Sequence, residues 1–178
     1  MTRGLARRVV HTGLAGGALL LPLFPWGASV LALTAAACFN AAILAPRAWL
    51  ARVDGRGSRG LVLYPLVLAI LLLYYQEDVV PVQCAWFAMA VGDGLAPLFR
   101  HGGAPWPWRR DKEMSATFLA YGLSAVLMVS VVPWPVALAA ALAGAVAETL
   151  PEPLDDNLCV PIAAAGAAHF ARGMAWSG

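Results

Sequence analysis

The run VVPVQCAWFAMAVGDGLAPLF, residues 79–99, decides how the rest of the chain is read. It is apolar apart from Gln83 and one acid, Asp93, which stands between two glycines. At about 1.5 Å per residue, a helix from Val79 to Val91 rises roughly 20 Å, short of a hydrocarbon core of about 30 Å. If the run enters a bilayer, Asp93 lies inside it or at its inner edge. An acid there is costly and points to function. Gly92 and Gly94 remove side-chain bulk on either side of it, so that a ligand can approach the backbone closely.

Composition says that the run does enter a bilayer. Of 178 residues, 61% are apolar and 12% charged, with mean hydropathy +0.71; soluble domains have about 45–50% and about 25%. Too little polar surface remains to cover a globule in water, which excludes an ordinary soluble enzyme. A net charge of +2 gives no reason to expect a nucleic-acid partner. Cuts at charged, proline and glycine clusters leave apolar runs near 9–24, 27–45, 61–75, 79–99, 115–132, 134–149 and 158–175. The expected fold is therefore one all-α integral membrane domain over 1–178, a bundle of about seven transmembrane helices. Alanine stretches at 135–147 and 162–168 suit close helix contact in a bilayer. Arg3, Arg7 and Arg8 precede the first run as in a signal peptide, but six further runs favour an uncleaved first helix. Cys38, Cys84 and Cys159 lie far apart in apolar runs and read as small buried residues, not a disulfide or metal set.

Basic residues set the orientation. Arg3, Arg7 and Arg8, then Arg47, Arg52, Arg56 and Arg59, then Arg100, Arg109, Arg110 and Lys112 fall on one face. Only Arg172 lies near the other. The positive-inside rule puts the N-terminus and this face in the cytoplasm. Trp26, Tyr74, Tyr75, Trp134 and Trp176 fall near the opposite span ends, as interfacial anchors do. An Ala- and Arg-rich, Lys-poor composition suits a bacterial plasma membrane.

The same face collects acids. Asp93 precedes a basic, glycine-containing loop from Arg100 to Lys112, and Glu148 and Asp155-Asp156-Asn157 flank another inner loop. Carboxylates can hold a divalent cation, while arginine forks, a lysine charge and exposed backbone N–H groups can hold phosphates. On this reading Asp93 and Asp156, with Glu148 or Asp155, hold the cation and orient an acceptor hydroxyl. Arg100, Arg109, Arg110 and Lys112 bind a triphosphate, and Arg8 or His11 meets the head of nucleotide or substrate.

Several ordered motifs resemble the membrane lipid kinases that include dolichol kinase, phytol kinase and CTP-dependent diacylglycerol kinase. They are Arg7-Arg8-Val9-Val10-His11, Arg59-Gly60 with Tyr64-Pro65, Gly92-Asp93-Gly94-Leu95-Ala96, Arg100 and Gly103, Lys112 opening Lys-Glu-Met-Ser-Ala-Thr, and Glu148 followed by Asp156-Asn157-Leu158-Cys159-Val160-Pro161. The resemblance implies transfer of the γ-phosphoryl group of CTP, with Mg²⁺, to the hydroxyl of an isoprenoid alcohol or diacylglycerol. Gly92, Gly94, Arg100, Arg109, Arg110, Lys112 and Asn157 would contact the nucleotide. Asp93, Asp156, Glu148 and Lys112 would be catalytic. The chain departs from the family's Lys-Ser/Thr-x-Glu-Gly-Ser/Thr loop at Glu113, Ser115 and Ala116. Alternatives are CDP-lipid synthesis by a relative of the phosphatidate cytidylyltransferases, a small transporter or flippase carrying ions on Asp93, and a family member that only binds.

Overall fold

The structure, a computed structural model, describes residues 12–44, 59–76, 78–151 and 155–176. Among the described residues seven α-helices follow one another: α1 (Ala15–Leu20), α2 (Trp26–Phe39), α3 (Arg59–Tyr75), α4 (Val79–Phe87), α5 (Met114–Met128), α6 (Trp134–Glu148) and α7 (Asp156–Trp176). A π turn over Asn40–Leu44 prolongs α2, and another over Ala88–Asp93 prolongs α4 as far as the acid. Among the described residues the only β pairing is an isolated bridge between Pro105 and Glu113. The fold is all-helical.

Two stretches, Trp26–Ile43 and Val79–Leu98, are long and apolar enough to cross a membrane by length and composition. Gly60–Tyr75, Met114–Met128 and Trp134–Glu148 are shorter apolar helices. In the described part of the first expected span, 9–24, helical residues 12–13 and a turn at Leu14 precede the six-residue α1 and a 3-10 turn at Leu21–Leu23. Proline accounts for several boundaries. Pro25 and Pro133 hold extended backbone immediately before Trp26 and Trp134, where a helix needs no N–H from the preceding residue.

Proline also explains how the helices are fastened together. Pro65 inside α3 cannot donate to the carbonyl of Leu61 four residues earlier. The Asn40 side chain donates to that oxygen at 2.7 Å. Pro22 likewise has no N–H for the carbonyl of Ala18, and the buried Gln83 side chain reaches it from α4 at 2.8 Å. At the other end of α2, Trp26 Nε1 donates to Leu72 O at 2.8 Å. The antiparallel α2–α3 pair is thus clipped at both ends. Asn40→Leu and Gln83→Leu are each expected to cost about 1–3 kcal/mol, because each strands a carbonyl away from water. Adding Pro65→Ala to Asn40→Leu supplies the missing N–H and should recover much of the loss in unfolding measurements in detergent.

Small side chains let the remaining helices close. The buried side of α6 is Ala137, Ala140, Ala141, Gly144 and Ala145, that of α7 is Ala164, Ala165 and Ala168, and the two pack along their length. The outside has the opposite character: Leu31, Val126, Trp134 and Phe170 are each at least two-thirds exposed. Charged and amide groups such as Gln83, Arg109, Lys112 and Glu148 are inside. Cys84 is buried as expected, whereas Cys38 lies on the exposed side of α2.

The alternating helices also sort the ends of the bundle. Asp78 caps the start of α4 and pairs with Arg172 near the end of α7, where the rings of Tyr75 and His169 also meet. Asp93, Lys112, Glu148 and Asp156 belong to the other end.

Candidate functional site

Lys112 is the centre of the polar end. It is buried, and its ammonium donates to Glu148 Oε1 at 2.9 Å and to Asp156 Oδ2 at 2.8 Å. Glu148 is the last residue of α6 and Asp156 the first of α7, so the turn between these helices brings the two carboxylates together. Asp93, at the end of the π turn, adds a third negative charge near the ammonium. Burial pushes the Lys112 ammonium down, but Glu148, Asp93 and Asp156 together outweigh it and hold its pKa above the ordinary value. Lys112 stays charged and holds Glu148 and Asp156 together.

The other expected phosphate contacts divide into two kinds. Arg109 is buried: it donates to the carbonyl of Leu150 at 2.7 Å and to both carboxylate oxygens of Asp111, and lies 3.8 Å from Asp156 Oδ1. Its guanidinium ties the 104–113 hairpin to the α6–α7 turn. Arg100 and Arg110 are exposed and can meet a phosphate. Asp155 accepts the Asn157 backbone N–H at 2.9 Å and the Asn157 amide at 3.0 Å, which caps the start of α7. Asn157 in turn lies against Gly60, where a Cβ would come within 3.1 Å of its amide nitrogen. Asp155 and Asn157 are thus tied to each other through Asp155 Oδ1 at the start of α7. Arg8 and His11 lie outside the described residues.

Gly92 has a neighbour that the sequence did not reveal. A Cβ there would lie 2.5 Å from the ring of Tyr121, and one on Gly144 would lie 2.8 Å from the same ring. The missing side chain makes room for an internal aromatic. Gly94, also buried, caps the C-terminal end of that turn. Tyr121 is buried and its hydroxyl approaches Glu148.

Glu113, the first departure from the lipid-kinase loop, also has a defined position. Its Oε2 accepts the backbone N–H groups of His101 and Gly102, each at 3.1 Å, and its Oε1 accepts the Ser115 hydroxyl at 2.6 Å. Gly102 has φ 87°, open to glycine, and a Cβ on Gly103 would lie 2.5 Å from Glu113 Oε1. The Ser115 hydroxyl and the N–H groups of His101, Gly103 and Gly102 hold the Glu113 carboxyl below the usual carboxylate range. Because the folded pKa is lowered, the clamp's contribution is complete above the unfolded value of about 4.3 and is lost as pH falls through the folded one. Unfolding of the parent chain and of Glu113→Gln, followed from pH 6 to pH 3, should show the parent's advantage shrinking toward the acid end.

The donor set can be tested against a divalent cation. Glu148 Oε2 is buried without a hydrogen-bond partner. Among the described residues no three His, Cys, Asp or Glu side chains stand close enough to hold one ion. The set expected from the sequence, Asp93 and Asp156 with Glu148 or Asp155, does not stand as such a group among the described residues. The buried Glu148 Oε2 would be one ligand for a divalent cation and Asp93, whose charge reaches the same ammonium, a second; such an ion would supply neutralisation of phosphate oxygens. Comparison with protein-family models, with curated proteins and with solved structures finds no match to this chain.

Proposed function

We propose that the chain is a membrane-embedded phosphotransferase that moves the γ-phosphoryl group of CTP to the hydroxyl of a lipid alcohol, isoprenoid or diacylglycerol, at the inner face of a bacterial plasma membrane. The observation that carries this reading is the buried Lys112 bridging Glu148 and Asp156, with the charge of Asp93 reaching it. The group sits at one end of a bundle whose outward side chains are apolar. In water an exposed apolar helix such as α2 would be a large aggregation-prone surface, whereas in a bilayer it is solvated. The resemblance of the motifs around these same residues supplies the donor and acceptor classes.

Phosphoryl transfer is mainly positioning and charge stabilisation. The alcohol oxygen attacks the γ-phosphorus, the bond from that phosphorus to the β–γ bridging oxygen breaks, and CDP leaves. The hydroxyl proton passes to Asp93 or Glu148, two of the carboxylates whose charges act on the ammonium. Lys112 offsets the charge gathering on the transferred group, and Arg100 holds the outer phosphates. A bound Mg²⁺ supplies further neutralisation of the phosphate oxygens.

The test is transfer of label from γ-labelled CTP, with ATP in parallel, to phytol, geranylgeraniol, a longer polyprenol and diacylglycerol, with Mg²⁺ and the purified chain in detergent. Labelled lipid phosphate that disappears in Asp93→Asn is the expected result. CDP-lipid formed from α-labelled CTP and phosphatidate would transfer the chain to cytidylyltransferase chemistry. Absence of both products from a folded chain would overturn the reading.

A further inference from the structure

The 104–113 hairpin has two faces of opposite chemistry. Trp106 N donates to Lys112 O, and Met114 N donates to Ala104 O, each at 3.0 Å, so the segment doubles back as a compact flap. Its inner side carries the buried Lys112 and Arg109. On the outer side the Trp106 ring lies 5.6 Å from that of Trp108 and 5.7 Å from that of Phe118 on α5. Trp108 is 56% exposed and Phe118 49%. The patch continues along the outside of α5 through Leu119 and Val126, and Arg110, two residues beyond Trp108, is exposed.

We propose that this aromatic face is a bilayer-interface contact: Trp108 seats at the boundary between headgroups and acyl chains, and Arg110 pairs with the phosphate of an anionic phospholipid. Tryptophan prefers that depth because its ring is apolar and its N–H is polar. Arginine above it can fork onto phosphate oxygens while its stem stays in the apolar layer. Continuity with the apolar outside of α5 fixes the occupant as lipid, since the same layer that covers Val126 reaches the hairpin. Arg110 then leaves the nucleotide-binding set. The contact also fixes the depth of the reaction: Lys112, on the reverse of the same flap, is held where a membrane alcohol presents its hydroxyl. This inference rests on the membrane reading above.

Spin labels in nanodiscs test both and separate them. The full chain, with Cys38, Cys84 and Cys159 changed to alanine, carries one label at Leu31→Cys, outward on α2, or at Trp108→Cys. Depth is read from relative exposure to oxygen and to a water-soluble nickel chelate. The expected result is a label at 31 deep in the acyl layer and one at 108 at the headgroup boundary. The 108 label should move inward when phosphatidylglycerol replaces phosphatidylcholine, and Arg110→Gln should abolish that movement. A label at 108 in water with 31 in the acyl layer overturns the inference and leaves the membrane reading standing. Both labels in water overturn the two together. A depth at 108 indifferent to lipid charge, or unchanged by Arg110→Gln, overturns the phosphate pairing. As a label-free check, quenching of tryptophan emission by brominated lipid should fall in Trp108→Phe; equal quenching counts against the contact.

Discussion

Lys112→Met should be the most damaging single change to both stability and activity. The substitution keeps the length of the side chain and removes the charge on which Glu148 and Asp156 are paired. Removing one member of a buried ion pair costs about 3–5 kcal/mol, because the remaining charge is left uncompensated in a poorly polarisable surrounding. Phosphoryl transfer should fall by about 100- to 1,000-fold, the usual effect of removing one preorganised donor that stabilises developing charge. Lys112→Met combined with Glu148→Gln separates the two losses: one surplus negative charge is gone, so unfolding should recover part of the stability while transfer stays low. Additive single and double changes would sink the claim that the pair is coupled. The pH dependence has a definite sign. The folded Lys112 pKa is raised, so its contribution is complete below the unfolded value of about 10.4 and is lost only as pH rises through the folded one. Unfolding curves of the parent and of Lys112→Met should therefore stay far apart through neutral pH and draw together on the alkaline side.

The sequence located the ends of the site better than its interior. Lys112, Glu148 and Asp156 were legible because charges in so apolar a chain can stand only at the ends of helices or in pairs. Helices alternating in direction bring 112, 148 and 156 to one end. Asp93 was legible by counting the rise of the run that precedes it. A loop sequence carries no such constraint. Arg109 and Arg110 are neighbours, yet one is buried against Leu150 and Asp111 and the other is exposed. That choice depends on where the α6–α7 turn passes. Glu113 was equally opaque, since its partners are backbone N–H groups that every residue has. The proline-linked amides did leave a signal. Pro65 and Pro22 within apolar runs each free one carbonyl, and Asn40 and Gln83 are isolated amides in other runs that meet those carbonyls.

The second large effect concerns Gly92, where stability and chemistry give opposite forecasts. Gly92→Ala places a methyl group 2.5 Å from the Tyr121 ring, closer than a carbon atom tolerates, and Gly144→Ala meets that ring at 2.8 Å. Tyr121 is fully enclosed, so the ring cannot swing outward to relieve the contact. Overpacking of this kind typically costs about 1–3 kcal/mol, and Gly92→Ala, with the closer approach, should stand at the upper end. Gly144 lies within α6 and was never a nucleotide candidate, which makes it the control. If both glycines are slots for Tyr121, both alanine variants lower the unfolding temperature in detergent and leave the KM for CTP near the parent's at a temperature where they are folded. If Gly92 instead admits the nucleotide, Gly92→Ala alone raises that KM. Tyr121→Leu, which removes the ring, should relieve the cost of either alanine while creating a void of its own. The coupling between positions 92 and 121 in a double-mutant cycle therefore measures the slot directly, independently of any assay of transfer.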